Sequence, residues 1–180
     1  MKRSTLIAAS LLLVSSALAP AVYAQSVGEK TGVNSVLGVS PSTPDFVKQV
    51  AISDMFEIQS NTLAESKGNA AEKSFAAMMV KDHTKTSTEL KAMVGSGKVK
   101  AELPAALDSA HQSKLDKLKE QSGADFSKNF NSVQVDAHKD AVDLFERYAK
   151  SGDNAELKDW AGKTLPALKH HLEMAQNLGK

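Results

Sequence analysis

The chain has 180 residues, 42% hydrophobic and 24% charged, with 22 basic against 21 acidic side chains and no cysteine. A near-neutral balance without a basic run leaves no electrostatic footprint for nucleic acid. The missing cysteines exclude disulfides, thiolate catalysis and cysteine-ligated metals.

The first segment, MKRSTLIAASLLLVSSALAPAVYAQ, puts Lys2 and Arg3 ahead of an apolar run from Leu6 to Ala19. That run is short for a spanning helix and ends at Pro20. Val22-Tyr23-Ala24 meets the small-residue rule for signal peptidase, so residues 1–24 are predicted to be a signal peptide cleaved after Ala24. No cysteine follows the run, which excludes a lipoprotein anchor, and no later stretch is apolar enough to cross a bilayer. Two basic and no acidic residues leave with the peptide, so the remainder carries 20 basic against 21 acidic groups. Its length is enough for one hydrophobic core. The protein is expected in the periplasm or secreted, without stable membrane insertion.

Residues 25–44 are rich in Gly, Ser, Val and Pro and lack a helical period, which predicts an extended linker or arm with Val36-Leu37 tucked against the domain. From 45 to 180 everything reads as helix. Helix A is predicted over Asp45 to Ser66, with Thr43 as N-cap and Pro44 as the first helical residue. Gly68-Asn69 breaks it, and helix B follows over Ala70 to Val94. A crossover carries a shorter helix from Pro104 to Gln121. Helix C is predicted over Asp125 to Lys150, with Phe126, Phe130 and Phe145 on its apolar stripe. Helix D starts after an Asp153 or Asn154 cap and runs to about Leu178, kinked at Pro166. Phe75, Phe126, Phe145, Trp160 and Leu168 are the predicted core. The A–B and C–D loops are short, which makes antiparallel neighbours. Two hairpins joined by one long crossover form the ferritin-like version of an all-α four-helix bundle. Phe75-Ala76 and Trp160-Ala161 follow the two short loops in matching positions, a faint sign of an internal repeat.

Glu57, His83, His138 and His171 are polar interruptions of the apolar or small-residue faces of helices A to D, one on each. At about 1.5 Å per residue, Glu57 and His83 lie about 16 and 22 Å from the first loop, and His138 and His171 about 21 and 28 Å from the second. All four are therefore near mid-bundle, within about a turn of a common height. His170 is rotated about 100° from His171, and His111 lies on the crossover, so neither joins them. One carboxylate and three imidazoles suit a single transition metal ion, whether Zn, Fe, Mn or Cu. The competing reading is a buried polar network without metal that fixes helix register. Met79 and Met174, each a turn from a proposed ligand, are read as gap-filling core or as added soft ligands for Cu(I). No Glu-x-x-His, nucleophile motif or phosphate loop is present. Catalysis stays open, with weak metal-dependent redox work the one activity compatible with such a site.

The blocks DFVKQVAISDMFEIQS, FAAMMVKDHTKTSTEL, LPAALDSAHQSKLDKL, QVDAHKDAVDLFERYAKSGD and LKDWAGKTLPALKHHLEMAQ resemble the domain-of-unknown-function 4142 family of exported bacterial proteins. Asp82-His83-Thr84 and Leu165-Pro166 with His171-Leu172 are the most specific parts. The resemblance implies a ferritin-like fold and implies little about activity. Motif positions of the family coincide with Glu57, His83, His138 and His171, which implies a shared role for them.

The function expected from these features is transition-metal binding in the bundle core, in stress protection or metal handling. The alternative is an envelope or partner-binding bundle whose protein partner the sequence does not identify. On the export reading, the intact mass of the chain recovered from a periplasmic extract should correspond to a start at Gln25. A membrane-held chain still beginning at Met1 would overturn it.

Overall fold

The computed structural model describes residues 33–180, so the expected signal peptide and the first part of the arm lie outside the described residues. Within them the chain is all-helical, with six helices and no strand. They are α1 Val33–Val36, α2 Thr43–Lys67, α3 Ala70–Gly95, α4 Ser109–Glu120, α5 Gly123–Ser151 and α6 Ala155–Asn177. None is long and apolar enough to cross a membrane. Contacts concentrate between α2 and α3 and between α5 and α6, the two predicted hairpins.

Local chemistry explains where four of the helices begin. Ser42, not Thr43, caps α2, its hydroxyl accepting from the Asp45 amide. Thr43 is free for a tertiary role and bonds Tyr148 and Asp153 across the bundle. Asn69 opens α3 with a full capping box, in which Glu72 reaches back to the Asn69 amide at 2.9 Å. Asn154 caps α6. The crossover helix starts later than Pro104, because the Asp108 carboxylate accepts the His111 amide at 2.8 Å and sets the cap there. Helix α6 continues through Pro166 as one element.

The α2–α3 reversal uses only Gly68 and Asn69. A Cβ at Gly68 would sit 2.7 Å from the Ala64 carbonyl oxygen and 2.8 Å from the Glu72 Cβ, so the tight turn leaves no room for a side chain. Gly152 plays the same part after α5, where a Cβ would meet the Tyr148 ring at 2.5 Å.

The arm departs from expectation. Residues 33–36 form a helical turn, and Val36 and Leu37 are 88% and 69% exposed instead of tucked in. Polar bonds tie this segment down: Ser35 donates to Asp143, and the largely buried Arg147 donates to the Val39 carbonyl at 2.6 Å.

Two apolar clusters fill the interior. One gathers Phe46, Val50, Leu90, Phe145, Tyr148, Leu157 and Leu168. The other holds Ala64, Phe75, Met79, Phe126, Phe130 and Ala175. Between these sets each long helix buries polar residues: Asp54, Glu57, Ser60 and Asn61 on α2, His83 on α3, Gln134 and His138 on α5, and His171 on α6. A polar layer thus lies across the bundle between two apolar ones. Phe75, Phe126, Phe145 and Leu168 are core residues as expected, whereas Trp160 is only partly buried. Its indole must keep its N–H within reach of an acceptor, here Glu89 at 2.7 Å.

Phe145 packs edge-on against Phe46, with ring centroids 5.1 Å apart, and touches the Trp160 ring. Phe145→Ala should therefore cost about 3–5 kcal/mol through the cavity it leaves. Urea denaturation checks this, and a loss below about 1 kcal/mol would contradict the packing drawn for the first cluster.

Candidate metal centre

The polar layer is built from one face of each long helix. His83 of α3, His138 of α5 and His171 of α6 converge in it, with exposures of 4%, 1% and 4%. Their ring centroids form a nearly equilateral triangle with sides of 5.7, 5.8 and 5.6 Å. One nitrogen from each ring lies within 4.8 Å of the other two.

The outer nitrogens are all engaged. His83 Nδ1 bonds Asp54 Oδ1 at 2.8 Å, His138 Nδ1 bonds the Gln134 carbonyl at 2.9 Å, and His171 Nε2 bonds Asp82 Oδ2 at 3.1 Å. A carbonyl or ionised carboxylate can only accept, so the ring nitrogen facing it must carry the proton. In each neutral imidazole the other nitrogen is then a bare lone pair. Those nitrogens are His83 Nε2, His138 Nε2 and His171 Nδ1, all buried and without a hydrogen-bond partner among the described residues. Tautomers are fixed in this way at histidine-bound metals, where an outer acceptor orients each ligand and raises its basicity.

Glu57 is 1% exposed and lies in the same layer, outside the group of mutually close histidine nitrogens. Asn61 donates to its Oε2 at 2.8 Å, while Oε1 has no partner among the described residues. Gln134 links this side to Ser60. The layer is consequently rich in acceptors and poor in donors. Leaving three imidazole lone pairs and one carboxylate oxygen dry would cost on the order of 4–12 kcal/mol at about 1–3 kcal/mol each. That rivals the whole stability of an ordinary domain, about 5–15 kcal/mol. A hydrogen-bond donor or a cation at the centre would remove that penalty.

The three histidines titrate differently. Burial lowers the pKa of His83, but the Asp54 hydrogen bond and the charges of Glu57, Asp54 and Asp82 outweigh it, and the net shift is upward. Burial pushes His138 down, opposed by the Glu57 charge. Burial, with the neighbouring His138 and His83, brings His171 to about 4 despite Asp82. Burial also raises Asp54 against its bond to His83. Adjacent imidazoles disfavour one another's protonation, so His83 is the one placed to hold a proton.

His111 stays outside, bonded to Asp108 and edge-on to Phe56, and His170 is exposed. Met79 and Met174 pack with Phe75 and Phe130 in the second apolar cluster. Sequence reasoning missed Asp54 and Asp82, the carboxylates behind His83 and His171, and Thr86, which donates to both oxygens of Asp54. Asp54 had a usable signal: it lies three residues before Glu57, on the same helix face.

Comparison with known proteins places a match to the family model described as Domain of unknown function (DUF4142) over residues 28–178. No curated protein and no solved structure matches the chain.

Asp54→Ala removes the hydrogen bond and the adjacent charge that hold the His83 pKa up, while burial remains. His83 should then titrate at lower pH than in the parent protein, as read from its ring resonances by NMR. An unchanged His83 titration would show that Asp54 is not its proton-holding partner.

Proposed function

The chain belongs to the domain-of-unknown-function 4142 family, and we propose that it binds a single transition metal ion in its bundle core. The observation that carries this reading is a set of three buried histidines that offer one nitrogen each within 4.8 Å of the others, every ring having one nitrogen tied to an acceptor and the other without a partner among the described residues. Metal–imidazole bonds of about 2.0–2.1 Å put tetrahedral ligand nitrogens about 3.3 Å apart, so the rings need close by no more than about 1.5 Å. Neutral nitrogen donors suit Zn(II), Fe(II), Mn(II) or Cu(II) and not the hard cations Ca(II) or Mg(II). Glu57, with one uncommitted oxygen, is the proposed fourth ligand or charge-balancing neighbour. Asp54, Asp82 and the Gln134 carbonyl would orient the rings.

The two tight hairpins and the long crossover support a ferritin-like arrangement, and the signal peptide expected from the sequence of residues 1–24 supports an exported, periplasmic protein. Metal handling or stress protection is the role that follows. The second reading is the metal-free register network. It is favoured by the upward shift of His83 among Asp54, Glu57 and Asp82, which suits a trapped proton.

Melting curves with and without Zn(II), Fe(II), Mn(II) and Cu(II) separate the two. At a hundredfold excess over Kd, metal should stabilise by about 2.7 kcal/mol, a rise of about 5–11 °C for a domain of this size. His83→Ala and His171→Ala should abolish the gain, and His170→Ala should leave it intact. Metal takes the neutral imidazole, so protons compete with it. His83, with its raised pKa, is the first ligand lost as pH falls, and the gain should fade from about pH 7 towards pH 5. A trapped-proton network predicts no metal shift at any pH, with the same histidine substitutions destabilising the protein by about 1–3 kcal/mol.

A further inference from the structure

The three site histidines are buried, so an ion bound among them must have a way in. Helix α2 packs closely on α3, and α5 on α6, which leaves two looser seams, α2–α5 and α3–α6. The crossover helix α4 packs on both α2 and α5 and lies over the first seam. A cleft of about 170 Å³ there is lined by α2, α4 and α5, with Phe56, His111 and Ala137 among its residues and none of the site histidines. The other seam carries a cleft of about 470 Å³ lined by α3 and α6 alone, so no third element roofs it among the described residues. His83 and His171 both line it. Asp82 and Glu89 in its walls are offset by Lys85 and Lys163, so its charge selects neither cations nor anions. What sets this cleft apart is where it leads.

The partnerless nitrogens of the triad are buried, so an ion in the cleft reaches them only when a ring turns. The rings are not equally held. His138 is bonded to the Gln134 carbonyl of its own helix. Asp54, behind His83, is itself buried and is fixed by the Thr86 hydroxyl at both oxygens. Asp82, behind His171, lines the cleft and keeps 38% of its side chain exposed. Among the described residues it makes no other hydrogen bond or ion pair. Water offers an exposed carboxylate an alternative partner, so this bond costs least to break.

We propose that the metal ion enters and leaves through the α3–α6 cleft, with His171 as the ring that turns aside and Asp82 as the latch that holds it. This rests on the metal reading above and adds the route. A route has a kinetic signature. A side chain that narrows it without touching the bound ion slows uptake and release by one factor and leaves Kd, their ratio, unchanged. Damage to the site does the reverse, weakening Kd and speeding release.

The purified protein is loaded with whichever of Zn(II), Fe(II), Mn(II) and Cu(II) raises its melting temperature. Release is then followed into the coloured chelator pyridylazoresorcinol, at concentrations high enough that the rate no longer depends on it. Ala167 is exposed on the cleft wall, and Thr164 lies one turn earlier on it. Ala167→Phe or Thr164→Phe should slow release about tenfold with little change in Kd. Ala137→Phe, in the cleft under the crossover, should release no more slowly than the parent. Asp82→Asn should weaken affinity about 10–100-fold, as loss of an outer partner does, and chiefly through faster release. Normal Kd with release slowed by neither cleft variant would sink the route and leave the metal site standing. Slowing by Ala137→Phe instead would move the entrance beneath α4. An unchanged release rate in Asp82→Asn would remove the latch. If none of the four ions binds, the metal reading itself falls, and the route with it.

Discussion

Three inward imidazole nitrogens without a hydrogen-bond partner among the described residues set the terms for the rest of the structure. Each is fixed by what lies behind its ring: a carboxylate for His83 and for His171, and a main-chain carbonyl for His138. An apolar core would have been simpler to build. It would leave no penalty to offset and no reason for Asp54, Glu57, Asn61 and Gln134 all to be buried beside the triad. Four polar side chains and three histidines in one layer have a common explanation if the layer exists to hold something positive.

The two apolar clusters make that layer possible. Phe46, Phe145 and Tyr148 lie in the cluster on one side of it, and Phe75, Phe126 and Phe130 in the cluster on the other. The hairpins fix its height. Because α2 and α3 are joined by two residues, the spacing of Glu57 and His83 from the turn determines their level. Gly152 and the Asn154 cap do the same for His138 and His171. Sliding one helix by a turn, about 5.4 Å, would carry its histidine into an apolar cluster, where an unpaired polar group is costly. Register and site therefore enforce each other.

Much of this was legible before the structure. Apolar spacing located the long helices, with ends off by a residue or two, and the short loops gave the hairpins. Interruptions of apolar faces singled out the three histidines, since a buried imidazole stands out against leucine and phenylalanine. The acidic partners were harder to read. Asp82 is half exposed and looks like any surface acid until His171 is seen from the neighbouring hairpin. Asp54 shares a helix face with Glu57, but its bond to His83 on the neighbouring helix is not visible from its own helix. Ser42 and Thr43 are both good caps by chemistry, and only the demand of Tyr148 and Asp153 for the Thr43 hydroxyl decides between them. The exposure of Val36 and Leu37 was unreadable because the segment is held through Ser35 and the Val39 carbonyl, not through its apolar side chains. In each case the deciding contact is far away in sequence.

Metal and proton compete here for the same reason that either could be held. The Asp54 bond that orients His83 also makes it more basic, and basicity improves a ligand and a proton acceptor together. Charge separates the outcomes. One proton neutralises one unit of a layer containing Asp54 and Glu57, and it satisfies one lone pair. The other two inward nitrogens then face a cationic ring with no second proton to share, and the pKa of His171, brought down to about 4, denies them one. On the proposed reading, a divalent ion would meet all three lone pairs at once and balance both buried carboxylates, which a single proton would not. The approach of any such ion is asymmetric. His138 is anchored to the backbone of its own helix, while Asp82, the partner of His171, keeps 38% of its side chain exposed. His171 is thus the ring whose orientation depends on a group that water can reach, and the open side of the layer is the side that holds it.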